Sequence, residues 1–182
     1  HTFLFDGLSE VWRDDTPLTA QDILEFDAYC AERNIELVPS VATFGHLYKV
    51  LRTKTFHELS EVEEAEGTAF SFYERMCHHT LNSTDDRAYE LVCRLIDEYS
   101  PLFRSNLFNI NCDETFDLGR GRGKERADEI GSHVMYVQWV NRVCEHVKAL
   151  GKRPMFWGDI IAAHPEAIKE LPEDVICMTW DY

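Results

Sequence analysis

Two adjacent carboxylates, Asp113 and Glu114, close a short apolar run, Leu107–Cys112 (LFNINC), and are followed by Thr115-Phe116-Asp117-Leu118-Gly119. An apolar run of that length bounded by turn formers reads as a buried strand. Strand neighbours point to opposite faces, so Asn109, Asn111 and Asp113 share one face and Phe108, Ile110 and Cys112 the other. Both acids reach one site only if the strand ends at them and the backbone turns. Two carboxylates held together suppress each other's ionisation, which keeps one protonated near neutral pH. That is what a general acid beside a charged partner requires.

Other reactive or flat side chains recur at comparable places. Asp6 ends His1–Asp6 (HTFLFD), and His46 follows Glu36–Thr43 (ELVPSVAT) through Phe44-Gly45. Trp157 and Asp159 lie in Pro154–Ile160 (PMFWGDI). Trp180, Asp181 and Tyr182 end the run that begins at Val175. Cys77-His78-His79 is a poor metal site, because ligands in a row rarely converge on one ion and no CxxC or HxxxH completes a set. The loop Gly119–Lys124 (GRGRGK) lacks phosphate-loop spacing, and no GxGxxG or GxxxxGK[ST] follows any strand.

The elements that must position these residues alternate. Thr19, with Asp22 three residues on, predicts a capped helix with an apolar stripe of Ile23, Phe26 and Cys30, flanked by Leu24 and Ala28; Asn34 suits its C-terminus. Residues 47–82 show no clean period and carry a charged run, Glu58–Glu66, that reads as a solvated face. Ser83 with Asp86 opens a second helix through Ile96, striped by Tyr89, Val92, Cys93 and Ile96. A longer helix covers Arg126–Leu150, with Gly151 at its end, and a short one lies near Pro165–Leu171. Five strands separated by helices imply parallel βαβ units, and continuously apolar strands imply cover on both faces. An open doubly wound sheet and a (β/α)8 barrel both satisfy this. The gathering of polar and aromatic residues at each strand's C-terminal end favours the barrel, whose active site lies there.

The chain has 182 residues, 45% of them hydrophobic, and a net charge of −15. That suits one domain over 1–182 and disfavours nucleic acid and anionic membranes as partners. No run of about 18 apolar residues occurs, and no signal peptide is visible. Six cysteines without a CxxC read as reduced, mostly packed thiols, which favours a cytoplasmic setting. Cys112 belongs to the face opposite Asp113 and reads as core.

The segment FNINCDETFDLG (Phe108–Gly119) resembles the Asp-Glu signature of family 20 glycoside hydrolases, the β-N-acetylhexosaminidases, and most closely a bacterial exo-N-acetylglucosaminidase subgroup. ELVPSVATFGH (Glu36–His46), PMFWGDI (Pro154–Ile160) and TWDY (Thr179–Tyr182) resemble the flanking strands. Most glycosidases hold their two carboxylates several ångströms apart; adjacent ones suit a substrate that supplies its own nucleophile. The resemblance implies a (β/α)8 barrel, here its second to sixth strands. It also implies retaining hydrolysis of terminal β-linked N-acetylhexosamine, with neither metal nor organic cofactor. Asp113 would orient the 2-acetamido group, and Glu114 would act as general acid and base. Trp157 and Trp180 would wall the acetamido methyl group, and His46 would stand near sugar and acid. Asp6, Asp159, Asp181 and Tyr182 are further substrate-binding candidates; Asp6 equally suits a turn cap or a bond to His46.

The chain departs from that pattern twice. Asn111 stands where the family usually has glycine, two residues before the catalytic Asp, and predicts crowding. The family's first-strand arginine and seventh-strand tyrosine have no counterpart here. That leaves an alternative: a catalytically impaired barrel fragment that binds sugar or only assembles. Unpaired edges at His1–Asp6 and Val175–Trp180 predict a homo-oligomer.

Overall fold

A computed structural model describes residues 2–12, 16–63, 71–72 and 79–180. Among these, three parallel strands form one sheet in the order β1 (Leu107–Asn109), β2 (Arg153–Trp157) and β3 (Ile176–Met178). Leu107 is paired with Arg153 and Asn109 with Met155; Met155 in turn faces Ile176 and Trp157 faces Met178. The ladder runs past the end of β1, since Ile110 N–H donates to the Met155 carbonyl and Trp157 N–H to that of Asn111, both at 2.9 Å. The expected third, fourth and fifth strands are therefore present, shorter than their apolar runs.

The first two expected strands do not form. Residues 39–41 lie beside β1 in a single parallel bridge, Ser40 to Asn109, with Val41 N–H donating to Asn109 and Asn109 N–H to Pro39. Pro39 sits inside the run and has no N–H to contribute, which keeps the pairing this short. The segment at the N-terminus pairs with Leu18 instead of with residues 36–43: Phe3 and Leu18 form a bridge, and Leu4 N–H donates to the Leu18 carbonyl at 2.9 Å.

Helices fill the connections: α1 (Ala20–Ala31), α2 (Tyr48–Leu51), α3 (Asp86–Tyr99), α4 (Lys124–Ile130), α5 (Ser132–Ala149) and α6 (Asp159–Ala163). Short 3-10 turns cover His57–Leu59, Ser100–Leu102 and Pro165–Glu170. Thr19 caps α1 through the expected box with Asp22. The buried face of α1 is Ile23, Asp27 and Cys30, whereas Leu24 and Phe26 are exposed; the true stripe follows i, i+4 and i+7 and includes an acid that pairs with Arg104. Asp85, not Ser83, caps α3, which runs on to Tyr99. The expected long helix breaks at Gly131, whose φ of +90° no other residue adopts readily.

The core lies between the sheet and α3 and α5. Phe108, Ile110 and Cys112 are fully buried, as alternation predicts, and α5 adds Tyr136, Trp139, Val140, Val143, Cys144 and Val147. Trp139 stacks on Phe44 at 4.9 Å and donates from Nε1 to the Thr43 carbonyl, tying α5 to the segment that carries His46. The five described cysteines are free thiols. No helix among the described residues is long and apolar enough to cross a membrane.

Candidate active site

The turn that adjacency of Asp113 and Glu114 demands is built into the backbone. Asn111, Cys112 and Glu114 all have positive φ, 58°, 67° and 51°. Such conformations cost side-chain-bearing residues about 1–2 kcal/mol each and persist only where the surroundings hold them. The supports are visible. Tyr136 donates its hydroxyl to the Cys112 carbonyl at 3.0 Å, Thr43 donates to the Ile110 carbonyl at 2.7 Å, and Glu114 N–H donates to Asp159 Oδ2 at 3.0 Å. The expected crowding at Asn111 is relieved by the same conformation, since glycine and asparagine share left-handed φ values. Its Oδ1 accepts from Ser40 Oγ and Asn109 Nδ2.

Both carboxylates converge on one imidazole. His46 Nε2 lies 3.0 Å from Asp113 Oδ2 and 3.3 Å from Glu114 Oε2, and all three side chains are partly exposed. The approach depends on Gly45: a Cβ there would lie 2.2 Å from the Asp113 carbonyl oxygen. The hydrogen bond that His46 donates to Asp113 raises the imidazole above its ordinary 6.5; burial works against this, while the charges of Asp113, Glu114 and Asp159 add to it.

A group protonated more readily in the folded state contributes stability that is complete below its unfolded pKa and is lost as pH rises through its folded one. Unfolding free energy is therefore expected to fall as pH rises from 6.5 through the higher folded value of His46. His46→Gln should remove that part of the slope, read by denaturant titrations at a series of pH values.

Asp159 stands at the first turn of α6, where it holds the Glu114 backbone. Burial pushes its carboxyl up from the usual range, the Asp113 charge adds to this, and the Glu114 N–H opposes it. Trp157 and Trp180 meet edge to face, 5.6 Å between ring centres. A cavity of about 480 Å³ opens beside Glu114, with Asp159, Trp180, Phe116 and Tyr136 among its walls. Asp6 stands apart: its N–H donates to Glu98 and its carbonyl accepts from Arg94, in the last turns of α3, the end that feeds the start of β1. Asp181 and Tyr182 lie outside the described residues, as do Cys77 and His78.

Three supporting residues escaped the sequence reading. Gly45 was given no role; a glycine directly before a candidate site histidine was the available signal. Glu61, inside the run read as solvated, is fully buried and accepts from Gly121 and Gly123 N–H at 3.0 and 2.9 Å. Burial pushes its carboxyl up. Asp117, also buried, accepts from the backbones of His79 and Thr80 and from the Thr80 hydroxyl. Together they anchor the loop that leaves the carboxylate pair, so Gly121 and Gly123 serve close packing against Glu61, while Gly119 lies against Ala127 and Ser132.

Parallel strands joined by helices, with two acids and two indoles at the C-terminal strand ends, suit a TIM-barrel-type fold, the fold that the solved structures similar to this chain imply. The family model for the glycosyl hydrolase family 20 catalytic domain matches residues 10–182, and the chain belongs to that family. Hexosaminidase D of Homo sapiens is 28% identical over 189 residues, which cover 99% of this chain and 36% of that protein. The beta-hexosaminidase of Vibrio furnissii is 23% identical over 174 residues, covering 89% of this chain and 26% of that one. Among solved structures, the chitobiase of Flavobacterium johnsoniae superposes with a TM-score of 0.75 at 23% identity, over 95% of this chain and 26% of its own. The chain thus spans about a third of the human relative's length.

Proposed function

We propose that the protein carrying this chain hydrolyses terminal β-linked N-acetylhexosamine, N-acetylglucosamine or N-acetylgalactosamine, from glycans with retention of configuration. The reading rests on the convergence of the Asp113 and Glu114 carboxylates on His46 Nε2, at 3.0 and 3.3 Å. The names of the relatives, hexosaminidase and chitobiase, support the same substrate class.

In this scheme Asp113 accepts the acetamido N–H of the substrate and turns the carbonyl oxygen toward the anomeric carbon. That oxygen forms the new bond as the glycosidic C–O bond breaks, and Glu114 delivers its proton to the leaving oxygen. Glu114 then takes a proton from the water that opens the oxazolinium ion. His46 holds the two carboxylates apart and carries compensating charge, Asp159 fixes the Glu114 backbone, and Trp157 and Trp180 face the acetamido methyl group. Asp181 and Tyr182 remain substrate-binding candidates. No metal or organic cofactor enters the cycle.

The barrel of which these strands form part is proposed to hold them as its second to sixth units, within one domain over 1–182. A second reading, a sugar-binding or assembling barrel piece, is favoured by large apolar side chains left in water: Leu4, Leu18, Leu24, Phe26 and Ile35 are all exposed. Those side chains, and the open edge of β3, support a homo-oligomer of the isolated chain. Neither nucleic acid nor membrane is a proposed partner, given the −15 charge. The free thiols support a cytoplasmic setting, the bacterial cytoplasm on the sequence resemblance.

The deciding assay compares nitrophenyl N-acetyl-β-glucosaminide with the corresponding β-glucoside. Loss of the internal nucleophile should lower turnover on the order of a hundredfold or more. Equal turnover of the two would overturn the substrate-assisted reading, and no turnover of either would favour the barrel piece.

A further inference from the structure

Tyr136, near the start of α5, is fully buried, yet its hydroxyl ends among the strand ends that carry the site. Its ring stacks on Phe44, 5.9 Å between centres and 28° between planes, two residues before His46. The hydroxyl donates to the Cys112 carbonyl at 3.0 Å and lies 3.4 Å from the Trp157 carbonyl. Burial pushes the phenol well above its ordinary range, so it remains a donor at neutral pH.

The need for that hydroxyl comes from the way the sheet ends. Within a strand, the N–H and C=O of one residue point toward the same neighbour. Trp157 N–H donates to the Asn111 carbonyl, so the Trp157 carbonyl also faces the strand that carries Asp113. In a continuing parallel ladder it would accept the N–H of Asp113, two residues beyond Asn111. The backbone instead turns at Asn111, Cys112 and Glu114, all with positive φ, and Glu114 N–H goes to Asp159. The Tyr136 hydroxyl takes the place of the interrupted ladder. It reaches the carbonyl just before Asp113 and that of Trp157, and so spans the two strand ends across the break.

In the reaction proposed above, on which this rests, Asp113 turns the acetamido group and Trp157 faces its methyl. The acyl group then lies between side chains carried by two different strand ends. The width of that gap is set by whatever fixes one end against the other. We infer that Tyr136 is a positioning residue, whose shared hydroxyl fixes the Asp113 turn against Trp157 and thereby sets the size of N-acyl group the site accepts. Tyr136→Phe keeps the ring and its stack on Phe44 and removes only this brace.

The test uses the full-length protein with nitrophenyl N-acetyl- and N-butyryl-β-glucosaminide. Wild type should favour the acetyl substrate, since each added methylene must fit between the carboxylate and the indole. Tyr136→Phe should lower the ratio of kcat/KM for acetyl over butyryl by about tenfold, the scale on which an apolar pocket discriminates a methylene. Val143→Ala, a truncation elsewhere on the buried face of α5, is the control for lost packing. It should lower stability and leave the ratio at its wild-type value. A ratio unchanged in Tyr136→Phe, or lowered as far in Val143→Ala, overturns the role, as does wild type that takes both substrates equally. Wild type that cleaves neither overturns the hydrolase reading instead. The brace is then followed without substrate, by NMR of the Trp157 indole N–H and the His46 ring. Movement of both in Tyr136→Phe and of neither in Val143→Ala supports it; both at their wild-type positions in Tyr136→Phe refute it.

Discussion

Glu114→Gln is expected to lower kcat on a nitrophenyl N-acetylhexosaminide by about 10²–10⁴-fold, the usual contribution of a positioned acid–base group. The amide is isosteric and stays in reach of His46, which stands 3.3 Å from Glu114 Oε2 in the native protein. What it lacks is a transferable proton. The loss should therefore grow with the basicity of the leaving group: large for sugar alcohols, smaller for nitrophenol, smallest for fluoride, which departs without protonation. The measurement is kcat/KM across such a series for wild type and variant. A uniform loss would instead indicate disruption of the site, and wild-type turnover would remove Glu114 from the mechanism. Ground-state binding does not depend on the proton, so KM should change little.

The second large effect comes from a residue without functional groups. Gly45→Ala places a methyl 2.2 Å from the Asp113 carbonyl oxygen, 3.4 Å from its carbon and 3.5 Å from Thr115 Cγ2. The nearest atom is backbone and cannot swing aside. The strand end bearing Asp113 and the segment bearing His46 must separate. Overpacking of this kind costs about 1–3 kcal/mol of stability. A shift of about 1 Å in the catalytic geometry costs on the order of a hundredfold in rate. The His46 pKa should move back toward its ordinary value as Asp113 recedes, which an NMR titration reads directly. Gly151→Ala is the control: its φ is +76°, but a Cβ there meets nothing within 4 Å. It should lose stability through backbone strain alone and leave turnover intact. If both variants retain full activity, the close approach at Gly45 does not set the site.

Composition and local pattern carried a good part of this. The capping pair Thr19 and Asp22, the parallel order of the last three strands and the burial of Phe108, Ile110 and Cys112 follow from short-range rules: side-chain reach over three residues, strand alternation and apolar burial. The acids at 113 and 114 were legible because a polar pair after a buried apolar strand has few structural uses. The first two strands were misread because apolar character was taken as pairing. Pro39 and the partnership of Phe3 with Leu18 decided otherwise. Leu24 and Phe26 were misplaced on α1 because the stripe that includes a buried acid, Asp27, looks polar until Arg104 is brought to it.

By itself, then, the sequence determined that these strands are parallel, that helices cover them, and that a carboxylate pair ends one of them. Only the tertiary structure decided that the two acids share a site. On a regular strand they point apart, and local propensity opposes positive φ at Asn111, Cys112 and Glu114. The turn is held by contacts from far along the chain: Thr43, Tyr136 and Asp159 as hydrogen-bond partners, and His46 between the acids through the gap that Gly45 leaves. Each local conformation is unfavourable alone and becomes the stable one when packing brings the partners of its polar groups into place.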